Sequence, residues 1–162
     1  MVVIKIKTFK PEETYRLGEK LAALLQAGDV VCLSGTLGAG KTLLTQGIAA
    51  GLKIREAVTS PTFTIMNVYD APIRLYHFDL YRLEQPGELA DIGFDEYTGP
   101  HSDGVAIIEW PDRFDGYMPE ENFWLTISLG EQTGERVISL AANGGNYERR
   151  IERLKDIANS CD

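Results

Sequence analysis

A three-layer α/β domain with a mixed central sheet is the fold this sequence predicts, and three observations predict it. A short apolar run, Val30 to Leu33, feeds a glycine-rich loop and then a helix-like stretch from Thr42 to Ala50. A second apolar run, Val105 to Ile108, ends in a carboxylate at Glu109, as a buried strand ending at a site would. Two pairs of β-rich runs, 64–69 with 73–78 and 123–129 with 136–141, are joined by turn residues and read as antiparallel hairpins. Helices on both faces of such a sheet complete the three layers.

Taken in order, Val2, Ile4 and Ile6 alternate with Val3, Lys5 and Lys7 and predict an edge-type strand. Pro11-Glu12-Glu13 opens a helix, with proline near its first position and acids in its first turn. Leu17, Leu21, Leu24 and Leu25 form its apolar stripe, and Gly28 is placed to end it. From Leu83 to Gly99 acids and glycines accumulate, with short helices predicted at 86–90 and 94–97. Gly130 to Gly134 turns the last hairpin, Asn143 to Asn146 reads as a flexible joint, and 147–158 as a charged helix anchored by Ile151 and Leu154. Residues 1–145 are expected to form the main domain, with 146–162 as a helix and tail of the same domain.

The loop from Gly35 to Thr42 carries the chemistry. Gly35, Thr36, Leu37, Gly38, Ala39, Gly40, Lys41 and Thr42 spell G-x-x-x-x-G-K-T, the pattern of a phosphate-binding loop. Triphosphate oxygens need backbone N–H groups converging on one point, and glycines let the chain curl that tightly. The following helix points its positive N-terminus at the anion. Lys41 reaches the outer phosphates, and the Thr42 hydroxyl is suited to the Mg²⁺ that travels with the nucleotide. A strand-like run before the loop and a helix-like run after it separate this pattern from an ordinary glycine turn.

Such a site needs a further acid at a neighbouring strand end and a group that positions water or an acceptor. Asp79 and Glu109 are the two strand-end acids, and each could also be an ordinary solvated carboxylate. Val58-Thr59-Ser60-Pro61-Thr62-Phe63 reads equally as a γ-phosphate-sensing loop or as a Ser-Pro turn. His77 reads as a packing residue, one His beside one Asp being too few ligands for zinc. Trp110 fits core filling or a lid on the site, and Arg82 an ion pair with Asp79 in preference to a phosphate contact.

With 162 residues, 44% hydrophobic and 25% charged, one soluble domain with a real core is expected. A net charge of −8 argues against a protein that grips nucleic acid by itself. Cys32 lies in an apolar run and reads as a core residue, and Cys161 as part of a loose tail, with no disulfide framework implied. Lysines interrupt the first apolar residues and no run is long enough to span a bilayer, which points to a cytoplasmic protein.

Together, Gly35–Thr42, Thr59-Ser60-Pro61-Thr62-Phe63, His77-Phe78-Asp79-Leu80-Tyr81-Arg82 and Glu109-Trp110-Pro111 resemble the TsaE (YjeE) family, over about residues 8 to 141. That family is the P-loop ATPase of bacterial tRNA threonylcarbamoyladenosine biosynthesis. The resemblance implies that Lys41 and Thr42 bind ATP and Mg²⁺, that Glu109 is a second metal ligand, and that Asp79 is needed for hydrolysis. It places Trp110 at the nucleotide, Thr62 in the switch loop, Arg136 on the nucleotide, and the Phe9–Glu13 junction, with Pro11 at its centre, against the adenine. It further implies work in a complex with TsaD and TsaB, any tRNA contact being indirect, and slow turnover without those partners. Two other readings share the phosphate loop. A small-molecule kinase would need an acceptor pocket and usually a basic lid, which the acidic Leu83–Gly99 segment does not suggest. A GTP-dependent switch would carry N-K-x-D and D-x-x-G, and neither motif occurs.

Overall fold

The computed structural model describes residues 1–36 and 38–160. Seven strands form one sheet in the order β1-β7-β6-β2-β5-β4-β3. Strand β2 (Val30–Gly35) is central and runs parallel to β5 (Gly104–Glu109) on one side and β6 (Asn122–Leu129) on the other. Strand β4 (Arg74–Asp79) continues the parallel zone beside β5. The flanks are antiparallel: β3 (Met66–Tyr69) pairs with β4, and β7 (Arg136–Asn143) lies between β6 and the edge strand β1 (Val2–Thr8). The sheet is mixed, with both hairpins where the sequence predicts them.

Side-chain alternation along β2 serves two cores. Val31 and Leu33 join Leu17, Leu44 and Ile48 under α1 (Pro11–Ala22) and α2 (Lys41–Gly51). Val30 and Cys32 face the other way, among Phe78, Ile108, Leu89 and Phe94, the last two from α3 (Gly87–Asp91) and α4 (Phe94–Tyr97). Helix α5 (Gly145–Ser160) returns to the first face and buries Tyr147 and Ile151 there.

The start of α1 is held firmly. Glu13 Oε1 accepts the Phe9 N–H at 2.9 Å, and the buried hydroxyls of Thr8 and Thr14 meet at 2.7 Å. Helices α1 and α2 approach so closely that a Cβ on Gly47 would run into the Tyr15 carbonyl. This contact keeps the Pro11 end of α1 beside the start of α2.

Three boundaries differ from expectation. Helix α1 stops at Ala22, not at Gly28. Leu24 and Leu25 continue inward through tighter turns, donating N–H to Leu21 and Ala22 carbonyls, so the apolar spacing outlasts the α-helix. A 3₁₀ segment, Pro111–Tyr117, follows β5. The expected joint at 143–146 is only Gly144, at φ +102°, between β7 and α5. Leu37 and Cys161 lie outside the described residues, as does the side chain of Leu154. Among the described residues no helix is long and apolar enough to cross a membrane.

Candidate active site

Strand β2 ends at Gly35, and the chain curls through Thr36, Gly38, Ala39 and Gly40 into α2. Gly38 (φ +81°) and Gly40 (φ +111°) hold left-handed conformations that a side chain would resist. The Ala39 N–H closes a turn on Thr36 O at 3.2 Å, and the Leu44 N–H bonds Gly40 O at 3.0 Å. Gly40 offers no side-chain cap, and no acid lies in the first turn of α2. The positive end of the helix therefore keeps its first-turn amides for an external anion.

That helix start forms one wall of a cleft of about 510 Å³, lined there by Gly38, Gly40, Lys41 and Thr42. The opposite wall carries Asp79 and Glu109, the last residues of β4 and β5, which the parallel register sets directly side by side. Ser60 and Thr62 enter from the loop after α2, and Tyr81 and Trp110 complete the mouth. Asp79 is buried and its orientation is set from both oxygens. Oδ1 accepts the Tyr81 N–H at 2.9 Å and Oδ2 the Thr62 hydroxyl at 3.1 Å, while the Thr62 and Ser60 hydroxyls meet at 2.7 Å.

Lys41 is buried, donates to Gly35 O at 2.7 Å, and places its ammonium 3.7 Å from the centre of the Trp110 ring. Burial pushes its pKa below the ordinary lysine value, opposed by the charges of Glu109, Asp79 and Asp112. Trp110 itself is left-handed (φ 59°, ψ 44°), a conformation a bulky residue holds only when its surroundings impose it. It precedes Pro111, which disfavours the helical alternative. Tyr81 packs on Trp110 at 5.0 Å between ring centres.

Pro11 and Arg136 do not line this cleft. They meet in a smaller recess of about 90 Å³ on the other flank of the loop, where Ala39, Gly40 and Leu43 also contribute. Arg136 Nε donates to Ala39 O at 3.0 Å, so the guanidinium braces the loop from outside. Gly40 and Leu43 border both spaces.

Two residues differ from the sequence reading. Arg82 is not paired with Asp79. It lies over the exposed Phe63 ring at 5.5 Å and bonds Phe63 O at 3.4 Å, because Asp79 turns inward to Thr62 and the Tyr81 amide. His77 is buried as expected of a packing residue, but its Nε2 lies 2.7 Å from Glu109 Oε2. The signal for that contact was the i, i+2 spacing of His77 and Asp79, which puts both on one face of β4; the partner strand could not be read from spacing.

The donor chemistry suits a hard divalent cation. Thr42, Asp79 and Glu109 offer only oxygen, and among the described residues no cluster of three or more His, Cys, Asp or Glu side chains forms a cage. A Mg²⁺ ion is usually held that way, by one or two protein oxygens together with substrate phosphates and water. The charge balance agrees. Three acids act on a single lysine, so a triphosphate would meet net repulsion unless a cation entered with it.

A glycine-rich loop joining a central parallel strand to a helix, with acids at the end of β5 beside that strand and of β4 beyond it, defines a P-loop α/β domain. The family model for "Threonylcarbamoyl adenosine biosynthesis protein TsaE" matches residues 8–138, and the chain belongs to the TsaE family. It is 42% identical over 155 residues to the tRNA threonylcarbamoyladenosine biosynthesis protein TsaE of Bacillus subtilis, covering 95% of each chain. The protein of the same name from Treponema pallidum is 43% identical over 131 residues, 80% of this chain and 94% of that one. The crystal structure of Bacillus subtilis YdiB superposes with a TM-score of 0.82 at 37% identity, over 96% of this chain and 95% of the other.

Proposed function

We propose that this chain binds ATP with Mg²⁺ in the cleft and hydrolyses it, and that the hydrolysis serves tRNA threonylcarbamoyladenosine formation in a cytoplasmic complex with TsaD and TsaB. The observation that carries the reading is the single cleft that brings Lys41 and Thr42 together with Asp79, Glu109 and Thr62. The name carried by the relatives from B. subtilis and T. pallidum supports the tRNA role.

The backbone from Gly35 to Gly40, Leu37 included, and the first turn of α2 take the phosphates. Lys41 exchanges the Gly35 carbonyl for a phosphate oxygen, leaving the indole face. Thr42 and Glu109 hold Mg²⁺, whose contribution when bound is to neutralise the phosphate oxygens. Asp79 orients the attacking water and accepts its proton. Thr62 and the Tyr81 amide fix the carboxylate, and each oxygen keeps a second lone pair for the water. Trp110 covers the phosphates, while Pro11 and Arg136 receive the adenosine side in the smaller recess. The whole chain, α5 included, acts as one ATPase domain. With a net charge of −8, contact with tRNA falls to the partner proteins.

The test is phosphate release from ATP with water as the only acceptor, with and without TsaB and TsaD. Asp79→Ala is expected to lower turnover by roughly 100-fold or more, the size of a lost acid–base contribution, with a smaller effect on binding. An Asp79→Ala, Glu109→Ala double variant that turns over at the unmodified rate refutes the mechanism. Strict dependence on an added alcohol or nucleoside would establish a kinase instead, and tighter binding of GTP than of ATP would establish a guanine-nucleotide switch.

A further inference from the structure

The geometry points to His77 as a positioning residue for the metal-side carboxylate, acting behind Glu109 and not on the nucleotide. This rests on the proposed role of Glu109 toward Mg²⁺. In the β4–β5 register Asp79 lies beside Glu109 and His77 beside Ile107, so His77 stands one step back from the strand ends on the face that carries α2. Its side chain is fully buried and is not part of the cleft lining, whereas Glu109 is. The hydrogen bond from His77 Nε2 to Glu109 Oε2, at 2.7 Å, is the only one to that carboxylate among the described residues.

The other ring nitrogen decides how to read this pair. His77 Nδ1 is buried with no hydrogen-bond partner. If Nδ1 carried the proton, the core would hold an unpaired N–H, and the Nε2 lone pair would face a carboxylate oxygen. The tautomer with the proton on Nε2 leaves only an unpaired acceptor, so the imidazole donates to Glu109. A ring that served only to fill the core could be a leucine or phenylalanine, with no polar atom stranded. Here an unpaired nitrogen persists, and the same ring supplies the donor that ties down Oε2 on the dry side of Glu109. The carboxylate is left with Oε1 to present to the cleft in a set orientation. Groups that hold a ligating carboxylate from behind are worth about 10–100-fold in metal affinity.

The test uses the full chain with Mn²⁺ in place of Mg²⁺ and the nucleotide analogue AMPPNP, reading bound Mn²⁺ by electron paramagnetic resonance. Binding of AMPPNP in EDTA, by calorimetry, is measured in parallel. His77→Leu removes the donor, His77→Asn keeps an amide too short to reach Glu109, and His77→Gln carries an N–H about as far as Nε2. The expected result is Mn²⁺ affinity reduced about 10–100-fold in the Leu and Asn variants. His77→Gln should stay within about threefold of the unmodified chain, and metal-free AMPPNP binding should be equal in all. If His77→Leu does not fold, the Asn–Gln contrast still decides. Equal Mn²⁺ affinity across the series, or metal-free binding that falls in step with it, overturns the role. An unmodified chain that binds no Mn²⁺ with AMPPNP overturns the proposed function itself, and this role with it.

Discussion

Arg150 on α5 makes a bidentate pair with Asp29, the residue before β2, with Nη1 to Oδ2 at 2.6 Å and Nη2 to Oδ1 at 2.9 Å. Its Nη1 also donates to Leu24 O at 2.8 Å, and the guanidinium lies 5.2 Å from the Phe123 ring and 4.8 Å from the Tyr147 ring. Replacing it with methionine keeps the stem packing and removes every donor. Asp29, only 3% exposed, would then hold its charge with the Gln26 N–H at 2.8 Å as its remaining partner among the described residues. Breaking a buried pair from one side costs about 3–5 kcal/mol. The Arg150 side chain is itself 12% exposed, so water can reach the vacated head, and the lower end, about 3 kcal/mol, applies. For a chain of this size that is a fall of roughly 6–12 °C in Tm. Thermal and urea unfolding of Arg150→Met measure it, and the double variant with Asp29→Asn should lose less than the sum of the singles. A Tm loss below about 2 °C, or strict additivity, would refute the reasoning. ATP turnover at low temperature should be unchanged, because the pair holds the far end of β2 from the phosphate loop.

Lys41→Ala should weaken ATP binding roughly 30-fold, the loss of about 2 kcal/mol for one charge-assisted contact, by calorimetry. Nucleotide binding should change tryptophan emission as the Lys41 ammonium leaves the ring 3.7 Å away, and Trp110→Phe should remove most of that change although Trp124 remains. Burial pushes both the Cys32 thiol and the Tyr147 phenol up to about 12, from 9.0 and 10.0. The folded chain keeps those protons while the unfolded chain loses them, so this stability is whole below pH 9 and falls as pH rises toward 12. The urea midpoint should therefore drop between pH 8 and 11, less steeply in Cys32→Ala, and an unchanged midpoint would contradict the burial argument.

What could be read from the sequence was what is local in it. The phosphate loop spans eight consecutive residues, and its glycines are required by the very turn they make. Glu109 was visible because a run of apolar residues is a buried strand and the first acid after it marks the strand's end. Contacts between distant segments were another matter. His77 and Glu109 are 32 residues apart and meet only because β4 and β5 pair in one register; a one-residue slip would turn one of them to the opposite face. Arg150 and Asp29 are 121 residues apart, and nothing in a charged helix says which carboxylate it will find. The family resemblance pointed to Pro11 and, separately, to Arg136, which spacing alone does not single out; both line one recess beside the loop.

The same contrast organises the molecule along β2. At one end Gly35 opens into a loop whose glycines take up left-handed conformations that other residues would resist, and the left-handed Trp110 after the neighbouring strand β5 packs against Lys41 there. At the other end the Tyr147 hydroxyl accepts the Val30 N–H at 2.9 Å and Arg150 clamps Asp29. A strand anchored so firmly at its start can tolerate an irregular finish, because the buried pair and hydrogen bonds at its start hold it in place without help from the loop. Substitutions at the α5 end should accordingly shift unfolding without altering nucleotide affinity, and those around Lys41 and Trp110 should do the reverse. A variant at Tyr147 or Arg150 that lost ATP affinity while fully folded would show that the two ends are coupled through β2.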